Sequence, residues 1–446
     1  MLQKPDVIAA IATPVGRGGI GIVRLSGVGL STMAQALTGQ PLSPRHATYT
    51  PFYDEDGLIL DQGVAIYFPS PNSYTGEDVV EFQGHGGTAI LQLLLLRCLS
   101  LGARLAQPGE FTQRAFLNNK IDLLQAESVA DLIDASSVQA ARCAMRSLQG
   151  DFSTAVHALV EKLIDLRMFI ESTLDFPEEE LELADVDLCS SKFKLIQDEL
   201  DRVFNAAQQG SILREGAHIV LVGEPNVGKS SLLNCLSGEE VALVSDIAGT
   251  TRDAIRQAIN IKGVPLHIID TAGLRESQDK VELMGMERTK SAMQKADAII
   301  LLTDAQHNND NNFNSILSQV PKNIPRLYVI NKVDLLGRKS YVETLNGDIH
   351  IYLSAKLNEG IELLREKILQ LINWRGEAGL YMARERHIQS LTIVRQILRR
   401  AEVEREQLEL FAEELRLAQT ELSNITGEFS SDDLLGEIFS RFCIGK

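Results

Sequence analysis

The sequence has few cysteines and no closely spaced pair of them, which excludes two kinds of cross-linked structure. Its five cysteines lie far apart, at positions 98, 143, 189, 235 and 443, and no Cys-x-x-Cys spacing occurs. Disulfide frameworks are typical of short, cysteine-rich secreted chains, and structural zinc sites usually contain Cys-x-x-Cys pairs. We therefore expect reduced thiols and a cytoplasmic protein. The N-terminal residues, Met1 to Asp6, likewise lack the layout of a signal peptide.

Long apolar runs and an excess of basic residues are also missing. No stretch of 18 consecutive apolar residues occurs, so no membrane-spanning helix is expected. The 43 Lys and Arg are outnumbered by 60 Asp and Glu, and the net charge is −17. Such an acidic chain binds nucleic acid only through a local basic patch or a partner protein. Its 446 residues, 44% of them hydrophobic, suit about three globular domains.

A phosphate-binding loop is the most informative motif present. Residues 223–230 read Gly-Glu-Pro-Asn-Val-Gly-Lys-Ser, with an apolar run before them and a helix start after them. The glycines allow successive backbone N–H groups to face phosphate oxygens, and the following helix adds its positive N-terminal end. In this pattern Lys229 reaches the β- and γ-phosphates, and Ser230 binds Mg²⁺.

Three further motifs indicate GTP, because each follows an apolar run and suits guanine nucleotide chemistry. Asp270-Thr271-Ala272-Gly273 can hold Mg²⁺ through water and sense a γ-phosphate. Asn331-Lys332-Val333-Asp334 offers a carboxylate to the guanine N–H donors, and Ser354-Ala355-Lys356 offers backbone N–H groups to the guanine oxygen. The motifs resemble those of the translation-factor-like GTPases. The predicted GTP-binding residues are Asn226, Val227, Gly228, Lys229, Ser230, Ser231, Ser245, Asp246, Ile247, Ala248, Gly249, Thr250, Thr251, Asp270, Thr271, Ala272, Gly273, Asn331, Lys332, Asp334, Ser354, Ala355 and Lys356.

The hydrophobic patterning predicts a multidomain α+β protein. Residues 1–118, called the head below, mix short β-like runs with one apolar helix candidate, and residues 215–371 alternate strands and helices like an α/β nucleotide domain. Helical periodicity on both sides of that domain, in 119–214 and 372–446, indicates a discontinuous α-helical bundle with an inserted Ras-like P-loop G domain. One predicted apolar stripe consists of Leu408, Phe411, Leu415, Ala418 and Leu422.

Motifs outside the P-loop carry a resemblance to one family. The head contains residues 14–21, Pro-Val-Gly-Arg-Gly-Gly-Ile-Gly, and residues 81–87, Glu-Phe-Gln-Gly-His-Gly-Gly, and the chain ends Phe-Cys-Ile-Gly-Lys. With a G domain nested in helices, the whole chain resembles the MnmE/TrmE family of tRNA uridine-5-carboxymethylaminomethyl modification GTPases. The resemblance implies a homodimer formed through the head and a site there for 5-formyl- or 5,10-methylene-tetrahydrofolate.

The resemblance also assigns residues of the head and of the C-terminus. By motif match, Arg24, Glu81, Lys120 and Lys446 are the candidate tetrahydrofolate contacts, since a carboxylate suits the amidine-like face of a pterin and basic groups suit folate carboxylates. Cys443 has two interpretations, a small buried or tethering residue and a nucleophile near the folate. His85 is expected to shape the folate site, without a catalytic role.

The resemblance further implies K⁺-dependent hydrolysis. The residue after Asp-Thr-Ala-Gly is Leu274, which cannot orient water, so the resemblance points to Glu282 as the catalytic carboxylate. Mg²⁺ would be bound by Ser230 and Thr251. K⁺ would replace an arginine finger, held by Asn226, Ser245, Ile247 and Thr250; Arg252 is the alternative finger.

The expected function is a GTPase that modifies carbon 5 of the wobble uridine in certain tRNAs, together with a flavin-dependent partner of the MnmG/GidA type. The flavin is assigned to the partner because this chain has no Gly-x-Gly-x-x-Gly opening a βαβ unit. Two alternatives are a GTP-switched RNA-binding or ribosome-assembly factor without modification chemistry and a purely structural GTPase scaffold.

Overall fold

The computed structural model describes residues 6–14, 16–175, 183–237, 256–270, 292–306, 317, 320–321, 323–376, 379–427, 432–440, 442–443 and 445. Its strands are β1 (Ile8–Ile11), β2 (Gly18–Gly27), β3 (Thr48–Tyr53), β4 (Ile59–Phe68), β5 (Asp78–Gly86), β6 (Arg104–Leu105), β7 (Ala217–Gly223), β8 (Arg256–Ile261), β9 (Val264–Asp270), β10 (Ala298–Asp304), β11 (Arg326–Asn331), β12 (Tyr341–Leu345) and β13 (Asp348–Tyr352). Its helices are α1 (Leu30–Thr38), α2 (Thr88–Ser100), α3 (Glu110–Leu117), α4 (Leu123–Ile133), α5 (Val138–Leu148), α6 (Asp151–Asp175), α7 (Leu183–Glu215), α8 (Lys229–Ser237), α9 (Ile361–Leu371), α10 (Glu385–Val403), α11 (Leu408–Thr426) and α12 (Asp432–Ser440).

The chain divides into two compact units. The first comprises residues 1–130, 148–192 and 396–446, and the second comprises residues 131–147 and 193–395. The head lies in the first unit, and the phosphate-binding loop lies in the second. Among the described helices, none is long and apolar enough to cross a membrane.

The head is built on a six-stranded sheet with the order β3-β4-β5-β2-β1-β6. Neighbouring strands are antiparallel except β1 and β6, which are parallel. One face of the sheet is covered by α1 and α2, whose buried leucines pack on Val23, Leu25 and Phe82. On α2 the buried positions Leu91 and Leu94 recur at helical spacing, which explains why this apolar run forms a helix on a sheet.

The helical part of the first unit contains a packed pair, α6 and α11. The predicted stripe of α11 is confirmed as buried at Phe411, Leu415, Ala418 and Leu422, whereas Leu408 is half-buried. The buried face of α6 is formed by Phe152, Val156, Leu159, Leu163, Leu166 and Ile170. Regular apolar spacing therefore identifies the face of each helix that is buried in this pair.

The second unit contains the nucleotide-type fold, a seven-stranded sheet with the order β12-β13-β11-β10-β7-β9-β8. The inner strands β13, β11, β10, β7 and β9 are parallel, and the edge strands β12 and β8 are antiparallel. Both faces of the sheet are buried: Ile219 and Leu221 belong to one core cluster, and Val220 and Val222 belong to another. Strands buried on two faces read as continuous apolar runs, and the predicted fold class is confirmed.

Candidate functional site

The phosphate-binding loop connects the end of β7 to the first residue of α8, Lys229. Asn226 has a φ of 64° and Gly228 a φ of 100°, so the loop turns through the left-handed region twice. A Cβ at Gly228 would lie 2.3 Å from Nδ2 of Asn331. Glycine is therefore required at this position for its backbone conformation and for the close approach of the guanine-motif asparagine.

Asn331 joins three of the predicted motifs. Its Nδ2 donates to the carbonyl oxygen of Val227 at 2.9 Å, and its Oδ1 accepts from the Ala355 N–H at 3.0 Å. The Asn331 residue is only 2% exposed. Because a buried amide with both ends bonded is costly to move, this side chain holds the phosphate loop, the β11 end and the Ser-Ala-Lys loop in one arrangement.

The guanine motif is held by two further contacts. The Ser354 hydroxyl donates to Oδ1 of Asp334 at 2.6 Å, which fixes the carboxylate predicted to bind guanine. The Lys332 ammonium donates to Oδ2 of Asp304 at 2.6 Å, and Lys332 itself has a left-handed backbone with a φ of 65°. The sequence analysis did not predict Asp304. This residue is the last of the apolar strand β10, the position at which the recognised motifs begin on their own strands.

Lys229 and Asp270 form the described part of the phosphate and metal site. The Lys229 ammonium donates to the Gly223 carbonyl oxygen at 2.8 Å and lies 3.9 Å from Oδ1 of Asp270. Partial burial lowers the pKa of Lys229, and the Asp270 carboxylate opposes that shift. Oδ1 of Asp270 is buried without a hydrogen-bond partner among the described residues. A buried carboxylate oxygen with free acceptor capacity fits a hydrated Mg²⁺.

The head brings Arg24 and Glu81 together across β2 and β5. The Arg24 guanidinium donates to Oε1 of Glu81 at 2.8 Å, and the Gln83 amide donates to Oε2 at 3.2 Å. The guanidinium carbon also lies 5.9 Å from the centre of the Tyr74 ring and 5.8 Å from that of Phe111. Partly buried charges beside aromatic rings fit a planar, amidine-bearing ligand such as a pterin.

The C-terminal residues also contact Arg24. Nη1 of Arg24 donates to the Gly445 carbonyl oxygen at 3.4 Å. The carbonyl oxygen of Cys443, which is exposed, accepts a hydrogen bond from the Gly109 N–H at 3.4 Å. Lys120 does not join this group in the described contacts, because its ammonium donates to the Pro71 carbonyl oxygen.

The remaining predicted residues make none of the contacts given above. Ser231 and Lys356 are described and exposed. The predicted residues that lie outside the described part of the chain are Ser245, Asp246, Ile247, Ala248, Gly249, Thr250, Thr251, Arg252, Thr271, Ala272, Gly273, Leu274, Glu282 and Lys446.

Comparison with known proteins identifies the family. The model described as "GTP-binding protein TrmE N-terminus" matches residues 7–120, and "MnmE helical domain" matches residues 123–443. The chain is 56% identical to tRNA modification GTPase MnmE of Nitrosomonas eutropha over 452 residues, and 56% identical to that of Nitrosomonas europaea over 451 residues, with 100% of each chain covered.

Among solved structures, a crystal structure of an Aquifex aeolicus Era variant bound to GDP and AlF₄⁻ is 25% identical. The match covers 41% of this chain and 66% of that one, with a TM-score of 0.29, which is too low to indicate a shared overall fold. The full-length identities and the two family models agree, and the chain belongs to the MnmE family of tRNA modification GTPases.

Proposed function

We propose that this chain is a K⁺-dependent GTP hydrolase that acts in the modification of carbon 5 of the wobble uridine of tRNA. The family match supports GTP hydrolysis and action in tRNA modification. It also favours modification over the alternative of a ribosome-assembly factor. The single observation that supports a nucleotide site most strongly is the bridge made by Asn331 between the phosphate loop and the Ser-Ala-Lys loop.

GTP hydrolysis needs two kinds of cation in this proposal. Mg²⁺ would be bound by Ser230 and Thr251, with Asp270 accepting from a water on the metal. K⁺ would be bound by Asn226 and by Ser245, Ile247 and Thr250, and it would offset the charge that develops on the phosphates. The exposure of Asn226, within a loop whose backbone is left-handed at this residue, supports this assignment. Glu282 would orient the attacking water.

The head would hold the one-carbon donor, 5-formyl- or 5,10-methylene-tetrahydrofolate. Arg24 and Glu81 supply a charged, partly buried contact beside two aromatic rings, and Lys120 and Lys446 would meet the folate carboxylates from further away. The approach of Gly445 to Arg24 places Cys443 two residues from that contact. We assign no step to Cys443.

The proposed domain organisation assigns each of these sites to its own part of the chain. Residues 1–118 would bind folate and form the homodimer, residues 119–214 and 372–446 would form one helical domain, and residues 215–371 would form the G domain. A flavin-dependent partner of the MnmG/GidA type would supply the redox chemistry. The modification would take place in the cytoplasm, where tRNA is available.

The decisive experiment is nucleoside analysis in cells that lack their own copy of this gene. Expression of the chain should restore the aminomethyl-type modification at carbon 5, measured by mass spectrometry of tRNA hydrolysates. An Asp334→Asn chain serves as the matched variant, because it is expected to lack GTP binding. Restoration by neither chain would contradict the proposed function. Equal restoration by both would show that modification does not depend on GTP binding.

A further inference from the structure

A buried carboxylate, that of Asp304, lies at the carboxyl end of β10, beside the guanine motif. Its Oδ2 accepts from the Lys332 ammonium at 2.6 Å, and its Oδ1 accepts from the backbone N–H of Gln306 at 3.0 Å. Each of the two carboxylate oxygens therefore has a donor. A carboxylate bonded at both oxygens has a fixed orientation, and it fixes the position of the ammonium that it binds.

The backbone around Asp304 is attached to the most constrained part of the nucleotide site. In the parallel pair of β10 and β11, Asp304 is in register with Asn331. The Ala305 N–H also donates to the carbonyl oxygen of Asn331 at 2.9 Å. Because the Asn331 side chain bridges two loops of the site, Asp304 is held against a buried, hydrogen-bonded scaffold.

Lys332 has an uncommon backbone conformation. Its φ of 65° lies in the left-handed region, which residues with a long side chain seldom adopt. Such conformations persist where the surrounding contacts maintain them, and they are concentrated at ligand sites. Lys332 immediately precedes the short 3₁₀ helix Val333–Leu336, which contains Asp334. The side chain of Lys332 is 33% exposed and that of Asp304 10% exposed, so the pair is largely shielded from water.

The order of strands determines where the Lys332 side chain lies relative to a bound nucleotide. β10 lies between β7, which leads into the phosphate loop, and β11, which leads into the guanine motif. The carboxyl ends of these three parallel strands share one edge of the sheet, the edge at which open α/β sheets bind ligands. A nucleotide with its phosphates at Lys229 and its base at Asp334 must therefore cross the end of β10, where Lys332 reaches Asp304.

We propose that Asp304 is a positioning residue for nucleotide binding, which holds the Lys332 stem beneath the purine ring; this inference rests on the guanine site of the proposed function. The methylene groups of a lysine can cover an apolar surface while its ammonium keeps a polar partner. The ammonium also neutralises a buried carboxylate that would otherwise repel an anionic ligand. A stem beneath the ring supports any purine, whereas Asp334 contacts the N–H donors that are particular to guanine.

The difference between supporting a purine and recognising guanine gives a test with two nucleotides. Inosine diphosphate (IDP) lacks only the 2-amino group of GDP, so the ratio of the two affinities reports the contact with Asp334. Asp304→Asn keeps the shape of the side chain and removes its charge. Asp297→Asn is the matched control, because Asp297 is exposed and directly precedes β10 at its opposite end. Calorimetry of each full-length chain measures both affinities.

Asp304→Asn should bind GDP and IDP about tenfold more weakly, as expected for the loss of one charge-assisted hydrogen bond. The ratio of the two affinities should keep its wild-type value, and Asp297→Asn should bind both nucleotides as the wild-type chain does. Wild-type GDP affinity in Asp304→Asn would overturn the inference. A changed ratio would also overturn it, because Asp304 would then act on the recognition of guanine.

Lys332→Met tests the same pair from the other side and separates positioning from a general role of Asp304 in the fold. The variant keeps a long apolar side chain but leaves it unanchored and Asp304 unpaired, so both nucleotides should bind at least about tenfold more weakly. Adding Asp304→Asn to Lys332→Met should cost no further affinity, because the ion pair is already lost. An equal loss from Asp304→Asn in both backgrounds would contradict the inference.

Failure of the proposed guanine site gives a different result. If the wild-type chain binds neither GDP nor IDP, the guanine site is wrong and this inference fails with it. A wild-type chain that binds GDP more tightly than IDP, together with a normal Asp304→Asn chain, would leave the guanine site intact and overturn the role of Asp304 alone.

Discussion

Nδ2 of Asn331 donates to the carbonyl oxygen of Val227 at 2.9 Å, across 104 positions of sequence. The same side chain accepts from the Ala355 N–H. The end of β11 is thereby attached to the phosphate loop and to the loop that follows β13. One buried amide therefore joins the phosphate loop, the end of β11 and the Ser-Ala-Lys loop.

Asn331→Ala should consequently weaken both folding and nucleotide binding. The variant leaves the buried Val227 carbonyl and Ala355 N–H without a partner, which costs about 1–3 kcal/mol for each group. Urea denaturation and GDP titration of the full chain would measure the two losses. Asn323→Ala, at an exposed position of the same domain, should change neither. Unaltered GDP affinity in Asn331→Ala would contradict the bridging role.

Asp334→Asn should weaken GTP binding by about 1.5–3 kcal/mol, because a charged acceptor for the guanine N–H groups is lost. The contact from Ser354 holds the carboxylate in place, so the asparagine should occupy the same position without the charge. Titration with a fluorescent GTP analogue gives the affinity, and light scattering should show unchanged dimer mass. Glu343→Gln, an exposed carboxylate of β12, is the control. Equal affinity in both variants would remove Asp334 from the guanine site.

Glu81→Ala should abolish tetrahydrofolate binding while GTP hydrolysis stays near the wild-type rate. The substitution removes the acceptor for the amidine-like face and leaves the Arg24 guanidinium without its 2.8 Å partner. Calorimetry with tetrahydrofolate is the measurement. Glu55→Ala, at an exposed position of the head, should bind folate normally. Normal folate affinity in Glu81→Ala would exclude this carboxylate from the site.

GTP hydrolysis should be much faster in K⁺ than in Na⁺. A cation between the phosphates neutralises charge that develops in the transition state, as an arginine finger would. Steady-state rates in matched K⁺ and Na⁺ buffers should differ strongly for the wild-type chain and less for Asn226→Ala. Glu282→Ala should still bind nucleotide but should not hydrolyse GTP, because the residue proposed to orient the attacking water is lost. Equal wild-type rates in the two salts would contradict the cation mechanism and make Arg252 the first residue to substitute.

The family and the fold class could be predicted from the sequence, because their signals are local. The phosphate-loop spacing, the apolar runs before each nucleotide motif and the stripe from Phe411 to Leu422 depend on residues within one turn, strand or helix. Both predictions are confirmed. The site residues, including Glu282 and the K⁺ ligands, stay predictions.

Tertiary structure alone decided which side chains meet. Strand register placed Arg24 opposite Glu81, and the fold turned Lys120 toward Pro71 instead. The pairing of Lys332 with Asp304 and of His85 with Asp61 likewise depends on neighbours in space that no local pattern links. The physical reason is that periodicity specifies which face of an element is buried, whereas register and loop closure, set by packing of the whole sheet, specify which polar groups share that face.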